Sequence, residues 1–259
     1  MSEFLISIII PVFNEAEMIP GSLRTIDSVL NRADISHEFI VIDDGSSDAS
    51  WKAIKGCAYQ YRLRAIRLSR NFGKEAALCA GLETASGNAT VIMDADLQHP
   101  PELLPEMVRL WRTEGYEIVE AVKISRGKEN PVHHFGALIF YKLLYRLSGI
   151  DLNQASDFKL LDSRVVTSWR RLGECQTFFR GMAAWMGYRR IGIPYSVPAR
   201  ERGDSKWTAL KLFNLALTAI TSFSALPLQI ITVLGILFLI GSVPLSFQTL
   251  QLWFRGLTV

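Results

Sequence analysis

The chain has 259 residues, 49% hydrophobic and 20% charged, with a formal net charge of +3. That length suffices for one α/β domain with a large core plus an appendage, and so weak a basic balance gives no reason to expect a nucleic-acid partner. The three cysteines, Cys57, Cys79 and Cys175, are scattered, form no Cys-x-x-Cys pair and suggest no disulfide framework, which fits a reducing compartment.

Glu3 stands where a signal peptide would be basic, and the apolar run after it is short. Residues 5–12 form a continuous, β-branched apolar run, the pattern of a parallel strand covered on both faces. A helix is expected over 17–30 and a strand over 39–42, ending in Asp43-Asp44-Gly45-Ser46, with Ser47 or Asp48 available to cap the next helix. Residues 63–68 read as a third strand, and a helix begins after Gly73. Residues 89–93 read as the strand that delivers Asp94 and Asp96. Pro100-Pro101-Glu102 opens another helix, since proline is tolerated in a first turn. A strand is expected over 118–122, then a basic loop over 123–131. Residues 135–147 make an amphipathic helix, packed on the domain or lying at a membrane surface. Helices are expected over 164–171 and 178–186, and a closing strand over 190–194. A charged loop over 200–206 leads to a helix over 207–223.

From Leu212 to Phe254 there is no Asp, Glu, Lys or Arg. Residues 227–245 are long and apolar enough for a transmembrane helix, with Pro244 placed to kink or end it and with Trp253 and Arg255 suited to the far interface. Arg200, Arg202, Lys206 and Lys211 precede the apolar run, which marks that side as cytoplasmic. The alternation of strands and helices predicts a doubly wound, mostly parallel sheet. Ligands bind such sheets at the carboxyl ends of the strands. The polar clusters fall there: Asn14-Glu15, Asp43-Asp44-Gly45, Asn71-Phe72-Gly73-Lys74 and Asp94-Ala95-Asp96.

Two aspartates spaced i, i+2 at a strand exit point the same way and repel unless a cation lies between them. Hard oxygen ligands of this kind suit Mg2+ or Mn2+, which complete their shell with substrate phosphates. Pro11 is expected to stop the first strand at the sheet edge, where the backbone of Val12 and beyond can meet a nucleotide. Gly45 permits a tight turn or the close approach of a ligand. His99 reads as a helix-start residue, and His133 and His134 lack the paired spacing of a zinc site.

In this order, Pro11-x-x-Asn14-Glu15, Asp43-Asp44-Gly45-Ser46, Arg70-Asn71-x-Gly73-Lys74, Asp94-Ala95-Asp96-Leu97-Gln98-His99-Pro100-Pro101-Glu102 and Arg200-x-x-Gly203-x-Ser205-Lys206 resemble the inverting family 2 glycosyltransferases. More closely they resemble the polyprenyl-phosphate glycosyltransferases, a group that includes bactoprenol glucosyltransferases and dolichol-phosphate mannose synthases. The resemblance covers residue 7 to about 211. It implies a GT-A catalytic domain (Rossmann-like, mostly parallel) over 1–205, a juxtamembrane amphipathic helix over 206–225 and a transmembrane region over 226–259. Relatives of this kind usually carry two membrane helices, of which the sequence to Val259 has one evident.

The resemblance also implies residue roles. Glu15 and either Asp43 or Asp44 would accept hydrogen bonds from a base or ribose. Pro11, Val12, Asn14, Gly73, Lys74 and Ala95 would line the nucleotide-sugar site. Asp94 would lie by the ribose or the metal, and Asp96 and Gln98 would ligate Mg2+ or Mn2+ on the diphosphate. Arg200, Ser205 and Lys206 match a closing loop over the phosphates, with Lys123 and Arg126 adding contacts. Asp157 stands where the family has an acidic residue near the acceptor, as general base or as orienting group. The implied reaction moves one hexose, glucose from UDP-glucose before mannose from GDP-mannose or an amino-pentose, to undecaprenyl or another polyprenyl phosphate. The setting would be the cytoplasmic face of a bacterial membrane. Packing of membrane helices would support a homo-oligomer. A non-catalytic scaffold that binds nucleotide is the alternative of another class. No Gln-x-x-Arg-Trp motif of processive synthases is present.

Overall fold

The structure is a computed structural model that describes residues 4–123, 156–173, 179–195 and 226–255. These fall in two compact units, an α/β unit that ends before the apolar helix and the helix 226–255 itself.

The α/β unit is built on a seven-stranded sheet in the order β3-β2-β1-β4-β6-β5-β7. Strands β1 (Ile6–Val12), β2 (His37–Asp43), β3 (Leu63–Arg67) and β4 (Ala89–Ile92) are mutually parallel. Helices α1 (Ile19–Arg32), α2 (Ser50–Cys57) and α3 (Lys74–Thr84) join them. After β4 come a short 3-10 turn (Pro101–Leu103), α4 (Leu104–Glu114) and β5 (Ile118–Lys123). Strand β6 (Lys159–Asp162) then enters between β4 and β5, antiparallel to both. Helices α5 (Ser163–Leu172) and α6 (Phe179–Trp185) lead to β7 (Arg190–Tyr195), parallel to β5.

Alternation along β1 divides its side chains between two apolar layers. Ile6, Ile8 and Ile10 pack with Leu23, Ile26, Ile54 and Met107 on the α1–α2–α4 side. Ile9 packs with Ile42, Leu78, Leu82, Val165 and Trp169 on the α3–α5 side. The continuous apolar run of β1 is thus the signature of a strand covered twice. Gly81 lets α3 lie close to the sheet, because a Cβ there would come within 2.6 Å of Ile9 Cγ2.

Several elements differ from expectation. Pro11 does not end β1 at an edge. It lies within β1, an interior strand of the sheet, in register with Ile42. Ile9 faces β4, where its carbonyl accepts from Met93 N–H, so Pro11 faces that side too, beyond the last β4 ladder pair of Ile9 with Ile92. Its missing N–H falls where no partner strand remains. Asp94 and Asp96 lie in a turn after β4, which stops at Ile92. Strand β6 is an addition to the expected strands: a four-residue stretch with a lysine at its head reads ambiguously. Helix α1 starts at Ile19 rather than at 17, with Pro20 in its first turn. Ser50 opens α2, and of the two candidate caps it is Asp48 whose Oδ1 accepts Ser50 N–H at 2.9 Å.

The second unit is α7 (Leu226–Phe254). Its stretch Leu228–Phe254 is long and apolar enough to cross a membrane, and none of it is buried. Pro244 neither ends nor interrupts the helix, which continues to Phe254. The expected helices over 135–147 and 207–223, and Cys175, His133 and His134, lie outside the described residues.

Candidate active site

The loops after β1, β2, β3 and β4 are fastened to one another at the carboxyl end of the sheet. Asn14, at φ 56°, donates its N–H to Ser46 Oγ at 2.9 Å and accepts Ser47 N–H on Oδ1 at 2.9 Å. Glu15 N–H donates to Ser50 Oγ at 2.8 Å. The two oxygens of buried Asp44 accept Phe72 N–H at 2.8 Å and Gly73 N–H at 2.9 Å. Asp43, fully buried, accepts Ser46 N–H at 2.9 Å and pairs with Arg67 Nε at 3.1 Å. Asp43 and Asp44, one of which is expected at a base or ribose, both hold the loops that frame the site. Gly45 has φ 67°, and a Cβ on it would lie 2.3 Å from the Arg70 carbonyl carbon. Its small size admits the neighbouring loop's backbone.

That loop ends at Gly73, at φ 95°, and launches α3 with Lys74 as its first residue. The Lys74 ammonium reaches Asp94 Oδ1 at 2.5 Å and Asp157 Oδ2 at 3.1 Å. Burial alone would lower the Lys74 pKa, but Asp157 and Asp94 together hold it above the usual lysine range. Asp157 comes from the segment that enters β6, so the reversed strand is what brings it to the Asp94 turn.

The turn itself is supported from beneath. Ala95 is buried and its carbonyl accepts the hydroxyl of Ser22 on α1. Asp96 Oδ1 accepts Gln98 N–H at 3.0 Å, and Leu97 sits at φ 52°. His99 lies inside the site's wall, its ring centroid 5.2 Å from Phe158 and 6.4 Å from Tyr195. Burial lowers the His99 pKa, and Nδ1 is buried without a hydrogen-bond partner. The Tyr195 hydroxyl is pushed up by burial and by Asp96 and Asp94.

Negative charge is in surplus here. Glu15 is pushed up to about 7, by burial first and then by Asp96 and Asp94, with Lys74 opposing. Its Oε2 is buried with no hydrogen-bond partner. Among the described residues no three His, Cys, Asp or Glu side chains stand close enough to hold a metal by themselves. The donors present are hard oxygens with excess negative charge, and they fit a divalent cation that takes its remaining ligands from a substrate.

Of the other expected site residues, Val12 is buried and its carbonyl accepts Asp44 N–H at 2.8 Å. Lys123 ends β5, in register with Tyr195. Arg126, Arg200, Ser205 and Lys206 lie outside the described residues. Sequence reasoning missed the buried pair of Lys159 and Glu120, at 2.9 Å, which underlies the Asp157 segment. A signal existed: each is a lone charge in an otherwise apolar run. Ser22 gave no comparable sign, because its role depends on α1 packing against the Asp94 turn.

A mostly parallel sheet with a reversed strand beside β4, and an acidic turn at the β4 exit faced by a lysine and a second carboxylate, defines a glycosyltransferase domain of GT-A type. The chain belongs to glycosyltransferase family 2, whose model matches residues 7–166. It is 41% identical over 98% of its length to an uncharacterised glycosyltransferase of Synechocystis, covering 80% of that protein. It is 36% identical over 89% of its length to the bactoprenol glucosyl transferase of Shigella phage SfV, covering 76% of that protein. In fold it is similar to glucosyl-3-phosphoglycerate synthase from Mycobacterium tuberculosis in complex with Mn2+, UDP-glucose and phosphoglyceric acid. The TM-score is 0.56 at 21% identity, covering 84% of this chain and 77% of that one.

Proposed function

We propose that this chain transfers one glucose from UDP-glucose to a polyprenyl phosphate, with inversion at the anomeric carbon, at the cytoplasmic face of a bacterial membrane. The observation that carries the reading is the Lys74 ammonium held between Asp94 and Asp157. It joins a carboxylate suited to a cation on the donor's phosphates to one suited to the acceptor side. The bactoprenol glucosyl transferases among the relatives support the sugar and the lipid. The apolar helix Leu228–Phe254 supports membrane anchoring, and the basic residues that precede it support the orientation. A membrane tether suits the chemistry, because the acceptor phosphate sits at the headgroup plane.

In this reading Asp94, Asp96 and Gln98 would hold Mg2+ or Mn2+. The ion supplies charge neutralisation for the departing nucleoside diphosphate. Asn14, Glu15 and the backbone from Pro11 and Val12 face the nucleoside, while Asp43 and Asp44 act through the loops they fix. Gly73 and Ala95 allow backbone approach. Lys123, Arg126, Arg200, Ser205 and Lys206 contribute phosphate contacts, arginine by paired hydrogen bonds and lysine as a point charge. The domain boundaries at 205 and 225 belong to the same reading.

Asp157 orients the acceptor. A phosphate monoester has its second pKa near 6 and is anionic at neutral pH, so it hardly requires a base. An aspartate paired with an ammonium is suited to fixing geometry. Asp157→Asn is therefore expected to lower kcat by only a few-fold; a loss within the roughly 100- to 10,000-fold range typical of general bases would restore the base. The reading as a whole is tested with a panel of labelled nucleotide sugars offered with one polyprenyl phosphate. UDP-glucose is expected to give the most lipid-extractable label. GDP-mannose or a UDP-amino-pentose in its place would reassign the sugar, and nucleotide binding without label from any donor would indicate a scaffold.

A further inference from the structure

Lys74 lies where two separate requirements meet. Its ammonium is 2.5 Å from Asp94 and 3.1 Å from Asp157. The lysine is not free to drift away: it comes directly after Gly73, whose N–H is held by Asp44, and it opens α3. Its side chain is 37% exposed, while Asp157 is 14% exposed, so the bridge is partly shielded from solvent. A divalent cation on the Asp94–Asp96 turn would draw on the same Asp94 carboxylate, whose Oδ1 the ammonium now occupies. Two cations drawing on one carboxylate in a partly shielded site repel each other.

From this geometry, and resting on the metal-assisted transfer proposed above, we infer that Lys74 is an exchangeable counter-ion that competes with the divalent cation for Asp94. Without donor, Lys74 neutralises Asp94 and ties it to Asp157. When the cation and a nucleoside diphosphate load, Asp94 passes to the cation, and the ammonium is left with Asp157, facing the space where an acceptor's phosphate arrives. Loading the donor thereby prepares a positive charge for an anionic acceptor. Lys74 is in this sense a positioning residue that links the two half-sites and favours donor binding before acceptor.

The test is Mn2+ binding to the full chain in detergent, monitored by electron paramagnetic resonance, with MnCl2 alone and with UDP. Removing the competing charge in Lys74→Met should tighten Mn2+ binding on the order of tenfold, while Lys74→Arg should stay near the parent. Lys74→Gln is measured alongside, so that loss of one variant to misfolding leaves a second to carry the comparison. In steady-state transfer, Lys74→Met should raise KM for the polyprenyl phosphate more than KM for the nucleotide sugar. Equal or weaker Mn2+ binding by the neutral variants, with normal binding by the parent, overturns the counter-ion exchange and leaves metal-assisted transfer standing. No Mn2+ binding by parent and variants alike overturns both.

Discussion

Asp44 and Glu15 are both carboxylates in the loops at the carboxyl end of the sheet, yet their surroundings assign them different work. Both Asp44 oxygens accept backbone N–H groups of the loop that delivers Lys74. Asp44→Ala leaves two amides unpaired and should destabilise the domain by about 2–6 kcal/mol, at roughly 1–3 kcal/mol per group. A thermal melt of the detergent-solubilised chain checks this, and an unchanged melt would assign Asp44 to ligand binding alone. Glu15 instead has an unpaired buried oxygen and a carboxyl pushed up to about 7. The folded state therefore keeps a proton that the unfolded chain releases near its ordinary 4.5. Protons are bound in excess by the folded state between those values, so stability should fall as pH rises through that window. Melting in EDTA from pH 4.5 to 7.5 is expected to show that fall in the parent and a flatter profile in Glu15→Gln. The sequence made both residues visible as candidates. It did not distinguish them, because hydrogen bonds to backbone amides that lie 28 and 29 residues away leave no local pattern.

At the scale of elements, the short reversed strand β6 does most to assemble the site. It places Asp157 beside the β4 exit, and its last residue, Asp162, anchors helices α5 and α4. Asp162 Oδ1 caps α5 by accepting Arg164 N–H at 2.8 Å, and Oδ2 accepts the Trp111 indole N–H of α4 at 2.7 Å. Asp162→Ala removes a helix cap and leaves an indole N–H unpaired, so a loss of about 2 kcal/mol is expected. A urea titration measures it; a loss under about half a kilocalorie would mean that α5 and α4 are held by packing alone. The parallel strands β1 to β4 were legible because each is an apolar run bounded by polar turns. Strand β6 was not, since four residues cannot distinguish strand from helix by periodicity and its partners β4 and β5 are remote in sequence. The Asp94–Asp96 pair was visible in the sequence as a candidate, but its geometry was not. The two carboxylates meet their partners through a turn with a positive φ at Leu97, and not through strand alternation.

For the whole molecule, an α/β unit and a bare apolar helix share one chain. The helix has 29 residues, and at about 1.5 Å per residue it is roughly 43 Å long, against about 30 Å for a hydrocarbon core. Its excess length, with Trp253 and Arg255 at the end, leaves room for tilt and for interfacial anchoring. This level was the most legible in sequence, since the absence of charge from Leu212 to Phe254 is a property of composition and needs no tertiary partner. Arg200, Ser205 and Lys206 enter the proposed mechanism through the resemblance of residues 200–206 to the family's motif. The central claim is that the acidic turn after β4 docks a sugar nucleotide whose sugar passes to a lipid phosphate. The most direct measurement offers UDP-[14C]glucose and polyprenyl phosphate to the full chain and to Asp96→Ala, and counts label in the organic phase. Label carried by the parent and reduced at least about 100-fold in the variant, a loss of about 2.7 kcal/mol in transition-state stabilisation, is expected. Glycolipid formed equally by both proteins would contradict the account.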